Sequence, residues 1–371
     1  MSPMSIPPEK VTRSHLQLLK ELTEAVAVSG DEEAVRKIVR REVEPLADDI
    51  KVDALGNLIV TKRPRGRRRM KVMLAAHMDE VGFVLVAAES DGTFRFDRVG
   101  GVDPRQFPAK PVWVGRNRIP GVIGAKPIHL STPDERKRPL DIDSMRIDMG
   151  VDTKEAAQAK AKVGDRGTFA TPFRRLGPTV CGKALDDRLG VAGLIELLRY
   201  PPEGIELCAV FTVQEEIGLR GAMVAAHAVD PQVSFVVECT AANDLPTWDG
   251  DENASYNSRL GLGPALSIAD RMAIGDPRLL QLAVETAERM KIPFQLRQPG
   301  GGTNDAAEIQ LAREGIPTLA VSVPGRYLHT PASIASLADW RNLLRLVHAI
   351  LVRIEPSTVS RSGMRAGRRK K

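Results

Sequence analysis

Four short apolar runs in this chain are followed by residue types that bind metal ions. Val72-Met73-Leu74-Ala75-Ala76 leads into His77, Met78, Asp79 and Glu80. Leu207-Cys208-Ala209-Val210-Phe211-Thr212-Val213 is followed by Glu215 and Glu216, and Ser234-Phe235-Val236-Val237 ends in Glu238. Pro317-Thr318-Leu319-Ala320-Val321-Ser322-Val323 leads, a few residues later, to His329. Such runs, rich in β-branched residues and bounded by turn signals, read as buried strands. Ligands of open α/β sheets sit outside the carboxyl ends of the strands, so residues just beyond those ends converge in space. One such residue would mean little. Four together point to a metal site.

A fifth element begins at Cys181-Gly-Lys-Ala-Leu-Asp186-Asp187-Arg188 and continues as an expected amphipathic helix, with Leu189, Ala192, Gly193, Leu194, Leu197 and Leu198 as its packed stripe. Asp at a helix start has an ordinary capping explanation. Two adjacent carboxylates in a buried corner, however, repel each other and lose solvation unless a cation offsets them. His77, Asp186, Glu216, Glu238 and His329 then supply two imidazoles and three carboxylates, a mix suited to zinc and tolerated by cobalt or manganese. With Asp186 bridging, His77, Asp186 and Glu238 hold one ion, and Asp186, Glu216 and His329 the other. Two divalent ions about 3.5–4 Å apart activate a shared water and polarise a carbonyl. Glu215 is left over as a general base that takes the proton of that water and returns it to a leaving amine. Asp79, two residues along an extended segment, points the same way as His77 and is placed to orient its imidazole.

The blocks Ala75-Ala-His-Met-Asp-Glu-Val-Gly-Phe83, Cys181-Gly-Lys-Ala-Leu-Asp-Asp-Arg188, Thr212-Val-Gln-Glu-Glu-Ile-Gly218 and Pro324-Gly-Arg-Tyr-Leu-His-Thr-Pro331 resemble the M42 family of metallo-aminopeptidases, which includes tetrahedral and deblocking aminopeptidases and some proteins labelled glucanases. The similarity runs from roughly residue 14 to residue 355. It implies the same roles for His77, Asp186, Glu216, Glu238 and His329 as metal ligands and for Glu215 as base. It also implies peptide substrates with a free N-terminus and a self-compartmentalised homo-oligomer, dimers assembling to a dodecamer. Two departures stand out: Glu238 occupies a position that is often Asp, and Asn304 intervenes between Thr303 and Asp305 in the glycine-rich segment Gly300-Gly-Gly-Thr-Asn-Asp305. From the residues alone, that segment permits close backbone approach, and Asn304 or Asp305 starts a helix running to Leu311 or Ala312.

Positioning these groups requires a frame. The chain has 371 residues, enough for one large domain or two moderate ones. Helices expected over 14–26, 31–46, 276–291 (Asp276 as cap, Pro277 first) and 339–354 alternate with strands, giving a three-layer α/β/α sandwich that the resemblance makes zinc-peptidase-like. Residues 83–177 differ: they are rich in Gly and Pro, and Asp91-Gly92 marks a hairpin. This reads as a small β-barrel-like insertion, used for dimerisation in the resembled family. The expected organisation is a discontinuous catalytic domain (1–82 and 178–356), an insertion (83–177) and a disordered basic tail (357–371). Within the insertion, the charged stretch 133–139 reads as a solvated loop.

Cys181, Cys208 and Cys239 are too few for a disulfide framework. Cys208 reads as a small buried hydrophobe, while Cys181 and Cys239 come near the metals. His15, His129, His227 and His348 are left out of the site. No apolar segment has signal-peptide or membrane-spanning length, so a reducing cytoplasm is the expected compartment. Arg361, Arg365, Arg368, Arg369, Lys370 and Lys371 equal the whole formal net charge of +6. Through that tail alone, nucleic acid or another acidic partner is conceivable. The basic run Lys62 to Arg69 reads as an exposed hairpin tip between two strands.

Two other functions compete. A glycoside hydrolase needs two carboxylates flanking a sugar and leaves the His77/His329 pair without a role. A non-catalytic metal-containing scaffold, or a nucleic-acid-binding protein acting through its tail, has no use for a spare carboxylate such as Glu215.

Overall fold

Four parallel strands lie side by side and carry the ends singled out above. The computed structural model describes residues 7, 10–64, 66–67, 69–245 and 258–360. The chain lays down β1 (Asp49–Val52), β2 (Leu58–Lys62) and β3 (Met70–His77), then β4 (Gly82–Ala88), β5 (Phe94–Val99), β6 (Pro111–Val114), β7 (Ile119–Gly124), β8 (Arg146–Asp148) and β9 (Arg166–Phe169). It continues through β10 (Arg174–Leu176), β11 (Thr179–Gly182), β12 (Ile205–Thr212), β13 (Val233–Ala241), β14 (Ala265–Ser267), β15 (Gln295–Arg297), β16 (Thr318–Arg326) and β17 (Ser333–Ser336). The large sheet runs β1-β2-β12-β3-β13-β16-β17-β11-β10, with β14 and β15 attached beside β16. Its centre, β12-β3-β13-β16, is parallel.

Side chains alternate between the two faces of these strands, as the pleat requires. Val72, Leu74 and Ala76 of β3 join one core, whereas Met73 and Ala75 join the other. The first core is covered by α1 (Arg13–Glu24), α2 (Glu33–Val43), α4 (Leu185–Leu198), α6 (Pro277–Met290) and α8 (Leu337–Arg353), and the second by α5 (Arg220–Val229) and α7 (Ala306–Leu311). The result is the expected three-layer α/β/α arrangement. Two short helices, α3 (Lys154–Lys160) and α9 (Pro356–Val359), complete the set among the described residues. The caps follow the sequence: Asp276 accepts the N–H groups of Arg278 and Leu279 at the start of α6, with Pro277 in the first turn.

Strands β4 to β9 close into a barrel in the order β4-β5-β8-β7-β6-β9. It has its own apolar filling, in which Phe83, Phe96, Phe107 and Phe169 meet in succession, edge-on or tilted, with ring centroids 5.5 Å apart. The Asp91-Gly92 turn joins β4 to β5, with Gly92 at φ +83°. Residues 133–139 are almost entirely exposed.

Two sequence expectations need correction. Helix α4 is not amphipathic: from Asp187 to Leu198 every residue is buried, because α1, α2 and α8 enclose the side turned away from the sheet. Gly190 permits its close approach, since a Cβ there would sit 2.3 Å from both the Val237 carbonyl oxygen and an oxygen of Asp187. The Lys62 to Arg69 run is not a hairpin tip either. β12 lies between β2 and β3, so this connection crosses the end of an inserted strand. Its Arg69 bonds Glu355 and the Glu203 carbonyl, and Arg65 and Arg68 lie outside the described residues. The basic tail beyond Ser360 also falls outside them.

Candidate metal centre and active site

The carboxyl ends of β3, β12, β13 and β16, with the corner before α4, gather all five expected ligands in one cleft of about 770 Å³. His77 closes β3, and Glu238 lies within β13, three residues before its end. Glu215 and Glu216 follow β12 across Gln214, and His329 follows β16. Asp186 comes from the corner between β11 and α4. Three of these corners use left-handed backbone: Ala184 at φ +52°, Gln214 at +57° and His329 itself at +58°. Non-glycine residues rarely adopt it, at about 1–3 kcal/mol each, and such strain clusters at functional sites.

Asp186 stands between the two imidazoles. Its Oδ1 is 3.3 Å from His77 Nε2 and its Oδ2 is 3.5 Å from His329 Nε2. Glu238 Oε1 lies 3.5 Å from His77 Nε2, and Glu216 Oε2 lies 3.4 Å from His329 Nε2. Asp186, Glu216 and His329 thus form one trio of converging ligand atoms. Of the other converging groups, one joins His77 and Glu238 through Asp187, which the sequence reading saw as half of the acidic pair but not as a ligand, and another joins His77 to Glu215 and Glu216. Asp187 Oδ1 accepts the Gly190 N–H, while its Oδ2 and Glu238 Oε2 are buried without a hydrogen-bond partner.

The charges within this cluster are poorly matched by protein alone. Burial pushes the carboxyls of Glu216 and Glu238 up to about 7 and about 8, and raises those of Glu215 and Asp187 well above the carboxylate range. Burial opposes protonation of His329, but Asp186 and Glu216 lift it to about 9. Burial also opposes ionisation of Asp186, yet His329 and His77 hold it below its usual range. Two imidazoles, four carboxylates and orphaned buried oxygens form a donor set that fits divalent cations.

Asp79 sits beside His77, although not quite as expected. The nearest partner of His77 Nδ1 is the Asp79 backbone carbonyl at 3.1 Å, with the carboxylate at 3.5 Å. That carboxylate is occupied by the backbone N–H groups of Glu215 and Glu216 and by the Ser29 hydroxyl at 2.6 Å. The imidazole of His329 faces the Gly101 carbonyl at 3.3 Å, a contact supplied by the segment after β5. The helix expected to start at Asn304 or Asp305 does so: α7 begins just after Asp305 and ends at Leu311. Asn304 Oδ1 accepts the Ala306 N–H at the start of α7, while the buried Asp305 carboxylate turns to the Thr212 hydroxyl at 2.5 Å.

The remaining candidates scatter. Cys239 lies near Asp186 and Asp187, with its thiol donating to the Leu185 carbonyl. Cys181 is half-buried on β11 and joins no candidate metal group among the described residues. Cys208 is buried in the sheet. His15 packs edge-on against Trp340 and reaches Glu196, and His348 is buried in α8.

Residues 56–346 match the family model described as M42 glutamyl aminopeptidase, and residues 13–38 match a second one, AMPT. The chain belongs to the M42 peptidase family. A putative aminopeptidase of Acetivibrio thermocellus is 37% identical over 89% of this chain and 96% of its own length. The crystal structure of a TET aminopeptidase from a marine-sediment Thaumarchaeota archaeon superposes with a TM-score of 0.87 at 34% identity, covering 93% of this chain and 98% of the other. The TET1 peptidase of Pyrococcus horikoshii, described as assembling into a tetrahedron or a large octahedral shell, gives a TM-score of 0.81 at 34% identity over 92% of this chain and 100% of that one. M42 peptidases are metal-dependent, which agrees with the donor set. Among the described residues, no helix is long and apolar enough to cross a membrane.

Proposed function

We propose that this protein is a dinuclear metal-dependent aminopeptidase that releases the first residue of short peptides with a free N-terminus. The observation that carries this reading is Glu215, a buried carboxylate lining the cleft beside His77 and Glu216, its backbone fixed by Asp79. His77, Glu238 and the Asp186–Asp187 pair would hold one cation, and Asp186, Glu216 and His329 the other. Two such ions, zinc before cobalt or manganese for this ligand mix, supply Lewis acidity to the carbonyl and lower the pKa of the attacking water.

Glu215 takes one proton from the water as its oxygen bonds to the first peptide carbonyl carbon. It gives that proton to the amide nitrogen as the carbon–nitrogen bond breaks, leaving a free residue and a shortened peptide. Asp79 holds the Glu215-Glu216 backbone so that one side chain turns to substrate and the other to the cation.

The barrel of β4 to β9 forms the insertion between the two segments of the catalytic domain, and we assign it to dimer formation within a closed homo-oligomer, the dodecamer being the expected size. The relative that can assemble into a tetrahedron or a large octahedral shell supports the closed homo-oligomer. The free cysteines suit a reducing cytoplasm. The test is hydrolysis of free and N-acetylated peptides by metal-stripped protein with zinc, cobalt or manganese restored. Metal-dependent release from the free peptides alone is the expected result; no release with any metal overturns it.

A further inference from the structure

Behind the metal ligands lies a second, fully buried charged cluster, in which Glu80 meets two cations. Lys183 Nζ donates to both Glu80 oxygens at 2.8 Å and to the Ala25 carbonyl at 2.8 Å. Arg188 donates to Glu80 Oε1 at 3.4 Å, to the Met78 carbonyl at 3.1 Å and to the Ala27 carbonyl at 3.4 Å. The Ala27 N–H donates to Glu80 Oε1 at 3.1 Å, and the Thr168 hydroxyl donates to Oε2 at 2.8 Å. Glu80, Lys183 and Arg188 are each no more than 2% exposed.

Each partner leads to a different part of the site. Glu80 stands three residues after His77, and Lys183 and Arg188 flank Asp186. Thr168 belongs to β9 of the barrel, and the barrel carries Gly101, whose carbonyl faces His329. A buried ion cluster is weak evidence for stability, because apolar residues of similar volume often serve as well. What such a cluster does fix is geometry, since charged partners tolerate few arrangements in low dielectric.

We infer that Glu80 is a positioning residue: through Lys183 and Arg188 it sets the spacing of His77 and Asp186, and through Thr168 it fixes the barrel that backs His329. This rests on the metal-centre reading above. Two variants separate the ties. Glu80→Gln takes the neighbouring negative charge from Lys183 and the strongest of several from Arg188, whereas Thr168→Val keeps every charge and removes only Glu80's link to the barrel.

The experiment is competition for zinc between the metal-free protein and a chromophoric chelator, run beside thermal unfolding and steady-state kinetics. Both variants are expected to bind zinc about tenfold more weakly than wild type, the lower edge for residues that support metal ligands. Excess zinc is expected to recover kcat more fully than kcat/KM. Where Glu80→Gln fails to fold, Thr168→Val decides. A lowered unfolding temperature with unchanged zinc affinity and kinetics overturns the inference, leaving Glu80 a structural residue only. Wild-type protein that takes up no zinc overturns the metal-centre reading and this inference with it.

Discussion

The Asp79 carboxylate accepts the backbone N–H groups of both Glu215 and Glu216, at 3.0 and 3.1 Å. One buried side chain therefore fixes the turn presenting the proposed base and a proposed ligand. Asp79→Asn replaces one acceptor oxygen with an N–H donor and leaves one of these amides facing it. A fall in kcat of about tenfold to a hundredfold is expected, comparable to the loss of other residues that orient metal ligands. Steady-state kinetics at saturating metal measure it.

Glu215→Gln keeps the shape of the side chain and removes the proton acceptor. Metal content measured by elemental analysis should match wild type. Peptide hydrolysis should fall by about 10²–10⁴, the usual contribution of a positioned acid–base group. Metal loss alongside activity would instead make Glu215 a ligand.

Removing the cations should destabilise the fold as well as silence it. Buried Glu238 and Asp187 oxygens lack protein partners, so cations that bind the folded chain stabilise it by mass action. At a free ion concentration a hundred times Kd this amounts to about 2.7 kcal/mol per site. Chelator should lower the unfolding temperature, and zinc should restore it.

Gly190→Ala should be among the most damaging single-methyl changes in the protein. The new Cβ would meet the Asp187 carboxylate and the Val237 carbonyl at 2.3 Å, and the carbonyl, part of strand β13, cannot retreat from a helix seated on the sheet. A loss of at least about 1–3 kcal/mol is expected in urea unfolding. A midpoint within error of wild type would mean that α4 sits farther from β13 than described.

His348 makes stability depend on pH. Burial holds its pKa below the ordinary 6.5, partly offset by a backbone hydrogen bond with Tyr200. Because the folded pKa is depressed, the unfolded chain binds the proton first as pH falls. Stability is therefore complete above about 6.5 and declines as pH drops toward the folded value. Urea midpoints between about pH 7.5 and 5 should fall less steeply for His348→Gln than for wild type.

The sequence places chemistry well where a strand end supplies it. His77 and the Glu215-Glu216 pair follow apolar runs whose periodicity and bounding turns are local signals, and parallel neighbours bring those ends together. Glu238 was legible for the same reason, although it lies inside β13. The contacts that were not legible depend on distant partners. Nothing near Asp305 in sequence indicates that its carboxylate reaches Thr212, and nothing near Gly101 points to His329. The Lys62 to Arg69 run was misread because strand order is a long-range property: two strands adjacent in sequence are held apart by β12. Burial of α4 on every side likewise depends on helices contributed by both ends of the chain.

The insertion of β12 beside β3 also governs how the chain must assemble. β3 is synthesised with neither lasting neighbour available, since β12 begins only at Ile205 and β13 at Val233. The barrel, by contrast, has all its strands in hand by Phe169, and three of its six pairings join consecutive strands. An apolar strand with two open edges thus waits through the synthesis of an entire barrel, and unpaired strands of this kind are aggregation-prone while they wait. Refolding yield should accordingly depend on dilution, with the nascent chain at its most vulnerable before Val233 has emerged.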